Sequence, residues 1–248
     1  MKKLLTLLTV LGLTAYGYSQ DLDYDEMLKV LDERSSFMDS DFSARATMIS
    51  EDPEEGVDRS TFRMFRRDAK DEFLILFEAP ETKIGQGYLK IGDNLWFYDP
   101  ESRKFSHSSL KDSFDSSDAR NSDFSRSTYS EDYLVAKAES GTLGRFDVWI
   151  LELEGKHNEV TYPYQKIWLT KDNLLILKTE DYSLNKRLLR TSLFPGWSKV
   201  GDSYHPNKMI FIDELVEGKK TQLNLSNLSA ADIRDDVFTK AYVERVSQ

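Results

Sequence analysis

The sequence of 248 residues contains no cysteine, which excludes disulfides, thiolate metal sites and a lipid attached at a cysteine beside a cleavage point. Its three histidines, His107, His157 and His205, stand far apart, and none belongs to the HxxxH or HExxH spacing that holds zinc. No GxSxG nucleophile turn, P-loop or glycine-rich dinucleotide turn occurs. Basic residues are the minority, 33 against 43 acidic ones, and a chain of that sign repels nucleic acid and anionic membrane surfaces. The expectation is a protein with no catalytic residue, no metal, no cofactor and no nucleic-acid partner.

The N-terminus has the three parts of a secretory signal: Lys2 and Lys3, an apolar run over residues 4–13, and small residues before a polar stretch. The run is too short to cross a hydrocarbon core of ~30 Å. Residues 1–19 are therefore read as a cleaved signal peptide and residues 20–248 as one domain, monomeric, located in the periplasm. Cleavage leaves 31 basic residues and takes the formal charge from −10 to −12. A chain of about 229 residues buries a sizeable core without disulfide staples.

Tyr24, Met27, Leu28, Leu31 and Met38 fall at helical spacing after a capping Asp21 or Asp23, which predicts an amphipathic helix over residues 23–38. From residue 42 the period changes to two. Strands are expected at 42–48, 59–67, 73–77, 85–91, 94–98 and 104–108, and again at 133–138, 145–154, 164–170, 174–182, 187–194, 209–216 and 221–228. The short turns between them favour an antiparallel meander, taken as about eleven strands. Residues 108–132 break the rhythm with Ser, Asp, Asn and Arg, and a loop of that length inside a domain is mobile or functional. The run Arg63, Arg66, Arg67 reads as a solvated strand face. A calcium loop at Asp115, Asp118, Asn121 and Asp123 is rejected, because the spacing is wrong and no glycine marks the turn.

Residues 73–77 are apolar on both faces of a strand, and so are residues 148–151 and 174–177. One face meets a core; the other needs a second cover. A sheet with one helix has no second layer large enough, which leads to a half-closed barrel with a greasy interior. Strand parity selects Phe62, Met64, Leu74, Leu76, Trp96, Tyr98, Trp149, Leu151 and Trp168 as lining candidates, and a bulge would invert the choice. Core packing is the competing role for each. Met27, Leu28 and Leu31 would form the apolar stripe of a lid.

Several motifs occur in a set order: Phe77-Glu78-Ala79-Pro80-Glu81, Gly85-Gln86-Gly87-Tyr88-Leu89, and Asn94-Leu95-Trp96-Phe97-Tyr98-Asp99-Pro100. Ser122-Asp123-Phe124-Ser125, Lys166-Ile167-Trp168-Leu169, Lys220-Thr221 and Asp236-Val237-Phe238-Thr239 follow. Together they span nearly the whole mature chain, which resembles the outer-membrane lipoprotein-sorting protein family, with the fold of the periplasmic lipoprotein carrier LolA. The resemblance implies a mainly β, incomplete antiparallel barrel with a helix over its mouth and acyl chains carried inside. It also implies an inner-membrane exporter and an outer-membrane acceptor as partners, and an early-strand arginine that latches the lid, for which Arg45 and Arg63 are the candidates. The expected function is a periplasmic carrier of lipid or lipoprotein acyl chains. Its rivals are a lipid-sensing regulator of a membrane partner, an enzyme acting on lipids or glycans through Asp115, Asp118 or Asp123, and a structural barrel with a packed interior.

Overall fold

The computed structural model describes residues 23–247; the expected signal peptide lies outside the described residues. Asp23 caps the first helix, α1 (Tyr24–Ser35), accepting from the amides of Asp25 and Glu26. The helix ends earlier than the expected residue 38. Ser36 turns extended, and the Phe37 amide donates 2.7 Å to a buried Asp68 carboxylate instead of continuing the helix. Met38 is consequently exposed rather than part of the stripe.

Thirteen strands follow, one at each expected range although the total was taken as about eleven: β1 (Phe42–Asp52), β2 (Gly56–Arg67), β3 (Glu72–Ala79), β4 (Gly87–Ile91), β5 (Asn94–Asp99), β6 (Lys104–Ser108), β7 (Tyr133–Leu143), β8 (Phe146–Gly155), β9 (Tyr164–Thr170), β10 (Ile176–Tyr182), β11 (Leu188–Val200), β12 (Ser203–Asp213) and β13 (Lys220–Ser229). They form one antiparallel sheet in the order β6-β5-β4-β3-β2-β1-β13-β12-β11-β10-β9-β8-β7. Every neighbour is consecutive in the chain except β1 and β13, which join two meanders with Met48 opposite Leu223. The sheet is open, with β6 and β7 as unpaired edges. The longest hairpin, β11–β12, extends well past the expected ends. Pro195 and Pro206 interrupt the apolar pattern there, and the sheet absorbs them through register shifts on both sides of Gly196. A side chain at Gly196 would meet Asn207 Oδ1 and displace the Asn207 side chain.

The open sheet also explains residues 109–132. They connect the two edges and therefore cross the concave face as an ordered strap, not a mobile loop. Asp115 meets Lys83 at 2.8 Å, Asp118 accepts from Thr221 at 2.9 Å, and Asp123 binds Arg190 at 2.6 Å, so the strap passes over the two meanders in turn. Phe114 and Phe124 drive into the sheet against Phe62, and Phe114 also packs on Phe77 and Tyr88. The strap ends in a short helix, α2 (Tyr129–Asp132), whose first amides are capped by Asp32 of α1 at 2.9 and 2.7 Å.

Strand β3 divides its apolar residues between two cores. Phe73, Ile75 and Phe77 belong to the concave cluster with Phe42, Phe62 and Phe114. Leu74 and Leu76 belong to a convex cluster with Leu89, Tyr98, Val237, Phe238 and Val243. The convex cover is thus the chain's own tail, through a turn at Asp235–Phe238 and helix α3 (Lys240–Val246). Arg67 clamps it, bonding Asp41 at 2.8 Å, Asp235 at 2.6 Å and the Ile233 carbonyl while its guanidinium lies over the Phe238 ring. Phe238→Ala is expected to cost about 3–5 kcal/mol, as for other buried phenylalanines, and urea unfolding would measure it.

Candidate functional site

Under α1 the sheet presents Leu151, Leu153, Ile167, Leu169 and Ile176, and the helix answers with Met27, Leu28 and Leu31. The lid stripe expected from the sequence therefore packs on the concave face of β8–β10. Between this roof, the end of the strap and strands β9–β12 lies a cavity of about 210 Å³. One side of its wall is apolar, with Ile176, Phe194, Trp197, Met209 and Phe211. The other is polar, with Arg66, Asp123, Ser125, Gln165, Arg190 and His205.

Buried pairs hold the polar side in place. Arg190 on β11 is 7 % exposed and sits between two carboxylates, Asp123 at 2.6 and 3.0 Å and Asp181 at 2.8 Å. Burial pushes the Asp181 carboxyl above its ordinary range, against the pull of Arg190. Arg66, 4 % exposed, stacks over Phe37 and Phe42 and pairs with Asp68 at 2.6 Å. It also donates to the Ser35 carbonyl at the end of α1, 3.1 Å, and to the Ser125 carbonyl of the strap, 3.2 Å. One guanidinium thus ties the roof to the strap and both to the sheet. Arg34 adds a second tie from α1, donating 2.7 Å to the Asn173 carbonyl in the β9–β10 turn. His205 stacks on Phe42 at 4.3 Å, and burial, helped by the Arg66 charge, lowers its pKa to about 3.

A second, apolar groove of about 610 Å³ lies at the end of the sheet, lined by Leu143, Phe146, Leu175, Leu177 and Leu193. Phe194 and Trp197 belong to both walls.

None of the nine lining candidates forms the wall of either hollow. Phe62 and Met64 face the concave side but are covered by the aromatic anchors of the strap. Leu151 and Trp149 face it too, Leu151 beneath α1 and Trp149 edge-on to Tyr24. Leu74, Leu76, Trp96 and Tyr98 lie on the convex face under the tail, which corrects their assignment to the interior. Trp168 is also convex, between Lys166 and Lys178, because its neighbours Ile167 and Leu169 take the concave side.

The latch candidates are corrected in the same way. Arg45 and Arg63 are opposite each other on the convex face, where both pair with Glu78 at 2.9 and 2.6 Å, and neither reaches α1. The solvated reading of the arginine run holds for Arg63 alone; Arg66 and Arg67 point to opposite faces and are both buried. Parity along β2 places Arg66 with Phe62 and Met64, and that was the available signal for it. Among the described residues no group of His, Asp or Glu is arranged to hold a metal ion.

A family model described as an uncharacterized protein matches residues 69–245. No curated protein matches the sequence. Among solved structures, a LolA superfamily protein from Nitrosomonas europaea superposes with a TM-score of 0.75 at 25% identity, over 88% of this chain and 97% of that one. A putative outer membrane lipoprotein-sorting protein domain from Vibrio parahaemolyticus gives 0.77 at 24% identity, over 88% and 98%. A DUF1329 family protein from Desulfovibrio piger gives 0.77 at 25% identity, over 88% and 97%. The chain belongs to the uncharacterized-protein family whose model spans residues 69–245, and its fold is LolA-like.

Proposed function

We propose that the protein is a periplasmic carrier that takes lipid or lipoprotein acyl chains into the hollow beneath α1 and delivers them towards the outer membrane, receiving them from an inner-membrane exporter. The observation that carries this reading is a cavity bounded by the end of α1, the strap and strands β9–β12, two of whose apolar wall residues also line an apolar groove. The lipoprotein-sorting name of the Vibrio relative agrees with it. Each methylene moved from water into such a wall contributes ~0.8 kcal/mol. Handover then requires an acceptor that binds the chain more strongly.

The cavity of about 210 Å³ falls below the roughly 300–1,000 Å³ of ligand sites. Entry therefore requires α1 to swing away or the Phe194–Trp197 wall to part. In this reading Arg66 performs the latching that the resemblance assigns to an early-strand arginine. The enzyme alternative is disfavoured by occupancy: Asp115, Asp118 and Asp123 are held by Lys83, Thr221 and Arg190.

Native mass spectrometry of protein released from the periplasm tests the reading. A retained lipid supports it; a bare protein that also ignores added acyl probes counts against it. Phe194→Asp, which puts a charge in the shared wall, is expected to weaken acyl binding tenfold or more, on the order of 1.4 kcal/mol. Thermal unfolding of the same variant separates loss of binding from loss of fold.

A further inference from the structure

We propose that the polar side of the cavity, around Gln165 and Ser125, is a headgroup site for an amphiphile whose head is neutral and donates hydrogen bonds through a hydroxyl, with its tail passing Phe194 and Trp197 into the apolar groove. The inference rests on the carrier reading and says which class of lipid it takes. An acyl chain alone would leave the polar wall desolvated and unanswered.

The charges on that wall are already answered by the protein. Arg190 is neutralised by Asp123 and Asp181, Arg66 by Asp68, and Arg126 by Glu131 at 2.8 Å. Asp132, also in the wall, accepts from Thr128 at 2.6 Å and meets His157 at 3.1 Å. His205 is uncharged at neutral pH and donates through Nδ1 to the Pro206 carbonyl at 2.8 Å. No cation is left over for a carboxylate or phosphate head. The surrounding carboxylates would repel one.

Apart from Arg66 Nε, which lies 2.6 Å from the Asp68 carboxylate, two wall atoms have no partner, Gln165 Oε1 and Ser125 Oγ. The orientation of Gln165 is fixed by its neighbour: Nε2 donates 2.7 Å to Asp181, which as a carboxylate only accepts, so Oε1 is the atom left free. A buried acceptor without a donor is costly. Both atoms are sealed in the closed form, and the movement that admits a ligand uncovers them. A hydroxyl of the incoming head answers Gln165 Oε1 directly, and Ser125 Oγ can give or take a second bond.

The test titrates the full mature chain with monolaurin and with laurate, two ligands of equal tail length, below their critical micelle concentrations at pH 8 by calorimetry. Monolaurin is expected to bind at least tenfold more tightly, since a site built for a hydroxyl rejects analogues that lack it. Gln165→Leu and Ser125→Ala should each weaken monolaurin by about five- to tenfold, the loss of one buried hydrogen bond, and leave laurate within about twofold. Circular dichroism of each variant checks folding, and if Gln165→Leu does not fold, Ser125→Ala decides. Equal binding, or tighter laurate, overturns the headgroup site and leaves the carrier intact. Failure of both ligands to bind overturns the carrier reading and this inference with it.

Discussion

Arg66→Met is expected to lower the unfolding free energy by about 3–5 kcal/mol, the usual cost of removing one member of a buried ion pair, and to drop the melting temperature by roughly 10 °C for a chain of this size. The loss has two parts. Asp68, 3 % exposed, keeps only the Phe37 amide as a partner and becomes a buried charge without a counter-ion. The carbonyls of Ser35 and Ser125 lose their shared donor, so α1 and the strap are no longer tied through one group. Hydrogen exchange separates the two parts: amides of α1 should exchange faster in Arg66→Met, while those of β3 and β4 keep their protection relative to global unfolding. Adding Asp68→Asn should return part of the lost stability by removing the orphaned charge, without restoring protection to α1. Unchanged exchange in α1 would show that Arg66 supports the core but does not hold the roof.

The residues that proved hard to place explain what the sequence conveys and what it does not. Strand existence was plain, because the period-two pattern of Phe42, Ala44, Ala46 and Met48 is local. Which face was concave was not local for β3, where residues 73–77 are all buried. A strand apolar on both sides gives no parity signal, and the tail that covers one side lies some 160 residues later in the chain, at Val237 and Phe238. Trp96 and Tyr98 follow β3 through the register and were misplaced for the same reason. The strap was illegible for another reason: between Leu110 and Tyr129 its apolar anchors are Phe114, Phe124 and the small Ala119, and the rest is held by side-chain bonds to distant strands. Arg66 was read as solvated and Arg190 was not singled out because a buried arginine is recognised by its carboxylates: Asp181 faces Arg190 only through the β10–β11 register, and Asp123 stands on the strap 67 residues earlier. The apolar stripe of α1 was legible because Met27, Leu28 and Leu31 sit on one helical face and need no distant information to be seen.

His205 should make the fold acid-sensitive in a window fixed by its own titration. Its ring stacks on Phe42 at 4.3 Å with the planes 11° apart, and Nδ1 is spent on the Pro206 carbonyl. Burial in the first place, and the nearby Arg66 charge in the second, move its pKa down from 6.5 to about 3. Below pH 6.5 the unfolded chain takes up a proton that the folded chain refuses, so stability is complete above 6.5 and declines as pH falls towards 3. The slope is at most about 1.4 kcal/mol per pH unit, a loss on the order of 4–5 kcal/mol over the whole window. Asp115, Asp118 and Asp181, whose carboxyls burial raises, act in the opposite direction over part of that range. The informative quantity is therefore the difference between wild type and His205→Phe, in which those carboxylates are common. The variant keeps the stack and should lose about 1 kcal/mol at pH 7.5 from the unpaired Pro206 carbonyl, yet become the more stable of the two near pH 4. Urea midpoints at half-unit steps between pH 4 and 7.5 would reveal the crossing. Parallel curves would mean that His205 is hydrated enough to titrate normally, and the roof above it correspondingly looser than the packing of Phe37 and Phe42 implies.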